Sequence, residues 1–130
     1  MNNKSKEKFS LSKRLKSFSY AFNGLRTVIK EEHNSRIHII VSLIVIVCGF
    51  IFQISIIEWM LLCFAIGFVI SIEILNSAIE NLADFVSPEY HNLIKKVKDI
   101  SAASVLVSTI SSVVIGILIF LPKIILLINN

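Results

Sequence analysis

Three long stretches of this chain carry almost no charge, and they decide what it can fold into. Residues 37–57 form a run of 21 without Asp, Glu, Lys or Arg, residues 100–122 a run of 23, and residues 59–79 a run of 21 interrupted only by Glu73. About 20 mostly apolar residues in a helix cross the roughly 30 Å of a bilayer's hydrocarbon core. Across the 130 residues, 55% are apolar and 17% charged, with a mean hydropathy of +0.78. Soluble domains carry about 25% charged residues. A soluble globule, a secreted disulfide scaffold and a disordered chain are excluded, and a small all-α membrane protein remains, with spans at about 37–57, 59–79 and 100–122.

The net charge of +4 does not signify a nucleic-acid partner. Nine of the 13 Lys and Arg lie within residues 1–36, three more at Lys95, Lys96 and Lys98, and one at Lys123. Basic residues collect on the cytoplasmic side of membrane proteins, so the N-terminus and the Lys95–Lys98 segment are expected there, with the Gln53–Glu58 turn outside. Residues 1–10 are expected as a flexible basic N-terminus, and residues 11–130 as a single domain. Within it, Leu11, Leu15, Phe18, Phe22, Leu25 and Ile29 step by four and three, which traces one apolar stripe on a helix over 11–30. Basic side chains flank the stripe, as in a helix lying in the membrane interface. Cys48 and Cys63 each sit in an apolar run and are expected as small buried hydrophobes. Polar groups on three spans call for protein neighbours, hence a homo-oligomer.

The chemistry concentrates in residues 73–84, Glu-Ile-Leu-Asn-Ser-Ala-Ile-Glu-Asn-Leu-Ala-Asp. At 100° per residue, Glu73, Asn76, Glu80 and Asp84 fall within about 80° of arc, on one helix face, with Glu73 about 10 Å from Glu80 along the axis. An ionisable residue within a span is costly and marks function more often than not. Glu73 alone could serve as hydrogen-bonded oligomer glue; the full row leads from the cytoplasmic edge into the apolar interior. Glu32, at the start of the first span, could join Glu80, and two carboxylates from different helices suit Mg²⁺, which also keeps waters and phosphate oxygens. Neither a phosphate-binding GxxxxGK[ST] loop nor a Ser-His-Asp arrangement occurs, and His33, His38 and His91 lack metal-ligand spacing. These residues leave three readings open: an enzyme, a small ion-coupled transporter built on Glu73, and a non-catalytic scaffold.

The segment from Glu73 to Asp84, followed by Lys98-Asp99 and Ala102-Ala103, resembles the signature of the prokaryotic diacylglycerol kinase family. Glu32, Asn34 and Arg36 stand where that family carries a polar motif before its first span. The resemblance extends over roughly residues 10–123. It implies an integral membrane lipid kinase of the bacterial inner membrane, a homotrimer with active sites shared between subunits, that transfers the γ-phosphoryl group of ATP to a lipid hydroxyl with Mg²⁺ as cofactor. By position, Glu73 is implied as general base, with Asn76 orienting the base or the acceptor hydroxyl. Glu32 and Glu80 are implied as metal ligands that also face the nucleotide. Lys13, Tyr20, Asp84, Glu89, Tyr90, His91, Lys98 and Asp99 are implied around the nucleotide, with Arg36 and Glu73 at the lipid. Residues 56–60 and 116–123 look like the Gram-positive branch, which phosphorylates undecaprenol; Ser87 to His91 looks more like the diacylglycerol branch. Undecaprenol is the expected lipid, diacylglycerol the next.

Overall fold

The computed structural model describes residues 11–129; the expected flexible basic segment 1–10 lies outside them. Four helices follow in order: α1 (Leu11–Glu31), α2 (His33–Ile51), α3 (Ile56–Val86) and α4 (Asn92–Ile128), and the described residues contain no strand. The last three are each long and apolar enough to cross a membrane. A chain in lipid must satisfy its backbone hydrogen bonds within each segment, and a helix does so by itself.

The breaks between helices have local causes. Glu32 takes an extended conformation (φ −96°, ψ 117°) and separates α1 from α2. After α2, Gln53 enters the left-handed region at φ 47°, which reverses the chain within Phe52–Ser55. The sequence places this turn over Gln53–Glu58; instead α3 begins at Ile56, because Ser55 and Glu58 form a reciprocal cap. The Ser55 backbone N–H donates to Glu58 Oε2 at 2.7 Å, and Ser55 Oγ accepts the Glu58 N–H at 3.3 Å. Between α3 and α4, Ser87 and Pro88 end one helix, and His91 caps the next, its Nδ1 accepting the Leu93 N–H at 3.2 Å. Pro122 falls inside α4, which continues to Ile128. A proline lacks only its own donor, and a membrane helix tolerates that loss when its neighbours hold the segment. The adjacent Lys123 does so, pairing with Glu58 of α3 at 3.1 Å.

Helices α3 and α4 form a long antiparallel hairpin. Its register is fixed at one end by Lys123–Glu58, midway by Ser112 Oγ donating to the Ala65 carbonyl at 3.3 Å, and at the other end by Lys98–Asp84 at 2.8 Å. Near the α2–α3 turn, Ile54, Leu62 and Ile119 make a small buried core, closed by Phe50 against Trp59 (ring centroids 4.8 Å apart) and Phe52 edge-on to Phe120 (5.9 Å). Gly49 is buried here because the Trp59 ring occupies the space of a side chain. Farther along, α2 stands off from α4, leaving an apolar groove of about 430 Å³ floored by α3. Cys63, against expectation, is exposed on the outer face of α3, while Cys48 is half-buried. A helix with neighbours on one side only presents the opposite side to lipid, so an apolar run does not imply burial in protein.

Candidate active site

Glu73 lies in the middle of α3 and is only 3% exposed, although the surrounding helix is apolar. It faces the junction of α1 and α2. There a cavity of about 30 Å³ is walled by aliphatic side chains of α1, α2 and α3, with Ser35, His38 and Glu73 as its polar members. Glu32 and Glu80 are close enough for their charges to act on Glu73, and His38 lines the same cavity. The structure thus gathers Glu32, from the α1–α2 joint, to the same end of the molecule as the row on α3.

One turn along, Asn76 is buried, and its Nδ2 donates to Glu80 Oε1 at 2.9 Å. The amide therefore holds Glu80 directly. Its Oδ1 is buried without a hydrogen-bond partner, as is the hydroxyl of Ser101. An unsatisfied buried polar atom costs about 1–3 kcal/mol, so a ligand that supplied the missing partner would bind with that cost relieved. Asp84, the last member of the row, is exposed and pairs with Lys98 of α4 at 2.8 Å. Through that hydrogen bond first, and its charge, Asp84 holds the Lys98 ammonium above its ordinary pKa, and Glu80 adds to the effect. Lys98 sits before the apolar stretch of α4 and stays cationic through the physiological range. Asp99 turns the other way and binds Lys95 at 2.7 Å. Glu80 and Asp84, adjacent on one face, thus have separate hydrogen-bond partners, Asn76 and Lys98, while the charge of Lys98 acts on both.

The remaining candidates lie at the margins. Lys13 and Tyr20 are on the exposed surface of α1, with Tyr20 71% exposed. Glu89 and Tyr90 are exposed in the α3–α4 turn, where Ser87 Oγ donates to the Glu89 carbonyl at 2.9 Å, and His91 is committed as the α4 cap. Arg36 is exposed on α2. The resemblance marks Glu32, Asn34 and Arg36 at the start of α2, and the sequence weighs His38 only as a metal ligand, whereas Ser35 and His38 are the polar α2 residues that line the cavity beside Glu73. A usable signal was present: Ser35, His38 and Ser42 follow steps of three and four, the spacing of one helix face.

No group of three or more His, Cys, Asp or Glu side chains converges at metal-binding distance among the described residues. Magnesium does not require one, since it binds through one or two carboxylates with water and phosphate oxygens completing its shell. The Glu80 carboxylate and the unpaired Asn76 Oδ1 are hard oxygen donors one turn apart on α3 that could hold such an ion, and Glu32, whose charge acts on Glu73 from the α1–α2 joint, could supply a further oxygen.

The structure thus joins a buried carboxylate in a span to an amide-held carboxylate and a lysine paired across the hairpin, and comparison with known proteins gives the family of the chain. Residues 19–120 match the family model described as prokaryotic diacylglycerol kinase. The chain belongs to the prokaryotic diacylglycerol kinase family. It is 41% identical over 113 residues to the undecaprenol kinase of Bacillus subtilis, covering 87% of this chain and 92% of that one. It is 33% identical over 100 residues to the diacylglycerol kinase of Escherichia coli K12 (77% of this chain, 82% of the relative). It is 35% identical over 95 residues to the diacylglycerol kinase of Helicobacter pylori 26695 (73% and 74%). As a prokaryotic diacylglycerol kinase family member, this chain is an integral membrane lipid kinase that uses ATP and a lipid as its substrates. The transporter reading of Glu73 has no support from these relatives.

Proposed function

We propose that this kinase phosphorylates undecaprenol, with diacylglycerol as the second candidate, at a site on the cytoplasmic side of the bacterial inner membrane. The observation that carries the mechanism is Glu73, nine-tenths and more buried in an apolar helix at the edge of a cavity sized for a small group. A lipid alcohol already has its chain in hydrocarbon, so its hydroxyl reaches a base at that depth without leaving the membrane. Glu73 takes the hydroxyl proton as the lipid oxygen forms a bond to the γ-phosphorus. The bond from that phosphorus to the β-bridging oxygen breaks, and its electron pair departs with ADP.

Glu80 and Glu32 would hold Mg²⁺, which when bound neutralises phosphate charge. Asn76 is a positioning residue for Glu80 through their 2.9 Å hydrogen bond. Lys98, kept cationic by Asp84, offsets negative charge on the transferring group. Lys13, Tyr20, Glu89, Tyr90, His91 and Asp99 are assigned to the nucleotide's surroundings and Arg36 to the lipid headgroup region. Several of these lie at the margins of a single chain, which fits a homotrimer whose sites are shared between subunits. The basic residues of α1 and of Lys95–Lys98 support a cytoplasmic N-terminus. Undecaprenol is favoured by the 41% identity to the Bacillus subtilis enzyme of that name and by the aliphatic walls beside Glu73.

The test is phosphorylation of undecaprenol and of diacylglycerol, side by side, by purified protein in detergent–lipid micelles with Mg²⁺ and radiolabelled ATP. Label in undecaprenol that is lost in Glu73→Gln and Glu80→Gln is expected. Preferential label in diacylglycerol would reverse the lipid assignment, and full activity of Glu73→Gln would remove it as the base.

A further inference from the structure

The two ends of the bundle fix how deep it can sit in a bilayer. At the inner end, Glu73 reaches the Ser35 hydroxyl of α2. Its neighbour Arg36 is exposed and is the last charged residue before the uncharged run 37–57, so the hydrocarbon starts at about the level of Glu73. From there to Glu58 is fifteen residues of unbroken helix, about 22 Å at 1.5 Å each. A core of roughly 30 Å therefore reaches about 8 Å beyond Glu58 and its partner Lys123, and farther if α3 tilts.

Helix α4 supplies that length. It continues past Lys123 through five apolar residues, Ile124 to Ile128, about 7.5 Å. They are 39% to 74% exposed and at 100° per residue point to every side of the helix. A helix lying in the interface needs a polar face, and a single protein neighbour covers one side only. Hydrocarbon covers all of them. The groups level with this segment are satisfied for such a setting. Glu58 Oε1 holds Lys123 at 3.1 Å, and Oε2 accepts the Ser55 N–H at 2.7 Å; ionisable groups within a membrane are paired in this way. In the adjoining turn the N–H groups of Phe52, Gln53 and Ile54 donate to the carbonyls of Cys48, Phe50 and Gly49 at 2.9, 3.2 and 3.2 Å. Backbone outside a helix is tolerated at membrane depth when its polar groups are met within the protein.

We propose that Ile124–Ile128 is a collar in the outer-leaflet hydrocarbon, that the Glu58–Lys123 pair is submerged beneath it, and that the collar holds Glu73 at the inner boundary. The third span thus runs past residue 122, where the charge pattern ends it. Without the collar, Lys123 would come to rest at the outer boundary and Glu73 would sink about 8 Å into hydrocarbon, away from phosphate arriving through water. The placement of the collar stands on geometry alone; its consequence for catalysis rests on Glu73 as the base.

The chain has a single tryptophan, Trp59, next to Glu58, and its fluorescence reports the depth of the pair. The full chain is reconstituted in phosphatidylcholine vesicles, with lipids brominated at different acyl positions as quenchers. Trp59 is expected about 7 Å from the bilayer centre, against about 15 Å if Lys123 marks the boundary. The double variant Ile125→Lys with Leu127→Lys charges the collar at exposed positions. It should carry Trp59 outward toward the boundary and lower kcat/KM for undecaprenol about tenfold, as expected of a displaced catalytic group. Vesicles of shorter-chain lipid should restore that rate, because a thinner core returns the inner boundary to Glu73. Trp59 near 15 Å in the wild type would overturn the placement and leave the end of α4 to another protein surface. An unmoved Trp59 in the double variant, or a loss of rate that persists in thin bilayers, would overturn the hold on Glu73. Glu73→Gln separates the two readings: if it stays active while Trp59 lies at the expected depth, the base assignment fails and the placement stands. If it is inactive while Trp59 lies at the boundary, the placement alone fails.

Discussion

Removing the Asn76 side chain as Asn76→Ala tests which carboxylate that amide serves. In the structure its Nδ2 lies 2.9 Å from Glu80 Oε1 in a partly buried setting. A hydrogen bond to a charged group is worth about 1.5–3 kcal/mol net, and each 1.36 kcal/mol is tenfold in rate or affinity. Losing it should weaken whatever Glu80 holds by about 10- to 150-fold. If Glu80 holds Mg²⁺, the variant will need correspondingly more Mg²⁺ to reach half-maximal rate, and its kcat at saturating metal will approach wild type. Asn76→Asp should do worse, because it sets a second carboxylate one turn from Glu80, where like charges repel. The assay is the initial rate of lipid phosphorylation at fixed ATP over a Mg²⁺ titration. A fall in kcat with an unmoved Mg²⁺ curve would refute the reasoning, since it would place the amide in service to Glu73 or to the acceptor hydroxyl.

Three further outcomes are expected. Gly49→Ala puts a Cβ 2.7 Å from Trp59 Cη2 and 3.2 Å from Ile54 Cδ1, and the Trp59 ring is pinned by Phe50; overpacking of this kind costs about 1–3 kcal/mol, to be seen as a lower thermal midpoint in detergent. Lys98→Met should raise the KM for ATP and lower kcat while leaving the thermal midpoint in place, because its partner Asp84 is largely solvated; an unaltered rate would remove Lys98 from the site. Deleting residues 1–24 takes away most of the basic amphipathic helix, whose stripe is exposed in the chain, and should impair lipid phosphorylation while sparing membrane insertion, as followed by fractionation and activity.

The sequence was most informative where physics leaves few choices. Three runs of apolar residues admit only helices in lipid; α3 and α4 each contain one whole, while α2 ends at Ile51, short of the end of the first, which runs on through the turn into α3. The row from Glu73 to Asp84 lies on one helix, so its common face follows from the 100° step alone. Contacts between helices were less legible. The capping of α3 by Ser55 and Glu58 looked like part of a turn, because a capping box and a polar loop share the same residue types. Ser35 and His38 do little to break an apolar run, and only the packing of α2 on α3 brings them to the cavity beside Glu73. Lys98 and Asp99 are adjacent in sequence yet bind Asp84 and Lys95 respectively, since neighbours on a helix point 100° apart.

Because Glu73, Asn76 and Glu80 all belong to the unbroken helix α3, that helix acts as a ruler. At about 1.5 Å and 100° per residue, inserting or deleting a single residue between Glu73 and Glu80 would swing one carboxylate a quarter-turn or more away from the other. No adjustment elsewhere in the molecule could undo it. The turns at Phe52–Ser55 and Ser87–Tyr90 carry no such constraint. Length variation in a kinase built this way is therefore confined to its connections and ends, and a change of lipid has to be made by substitution on the helices that surround the ruler.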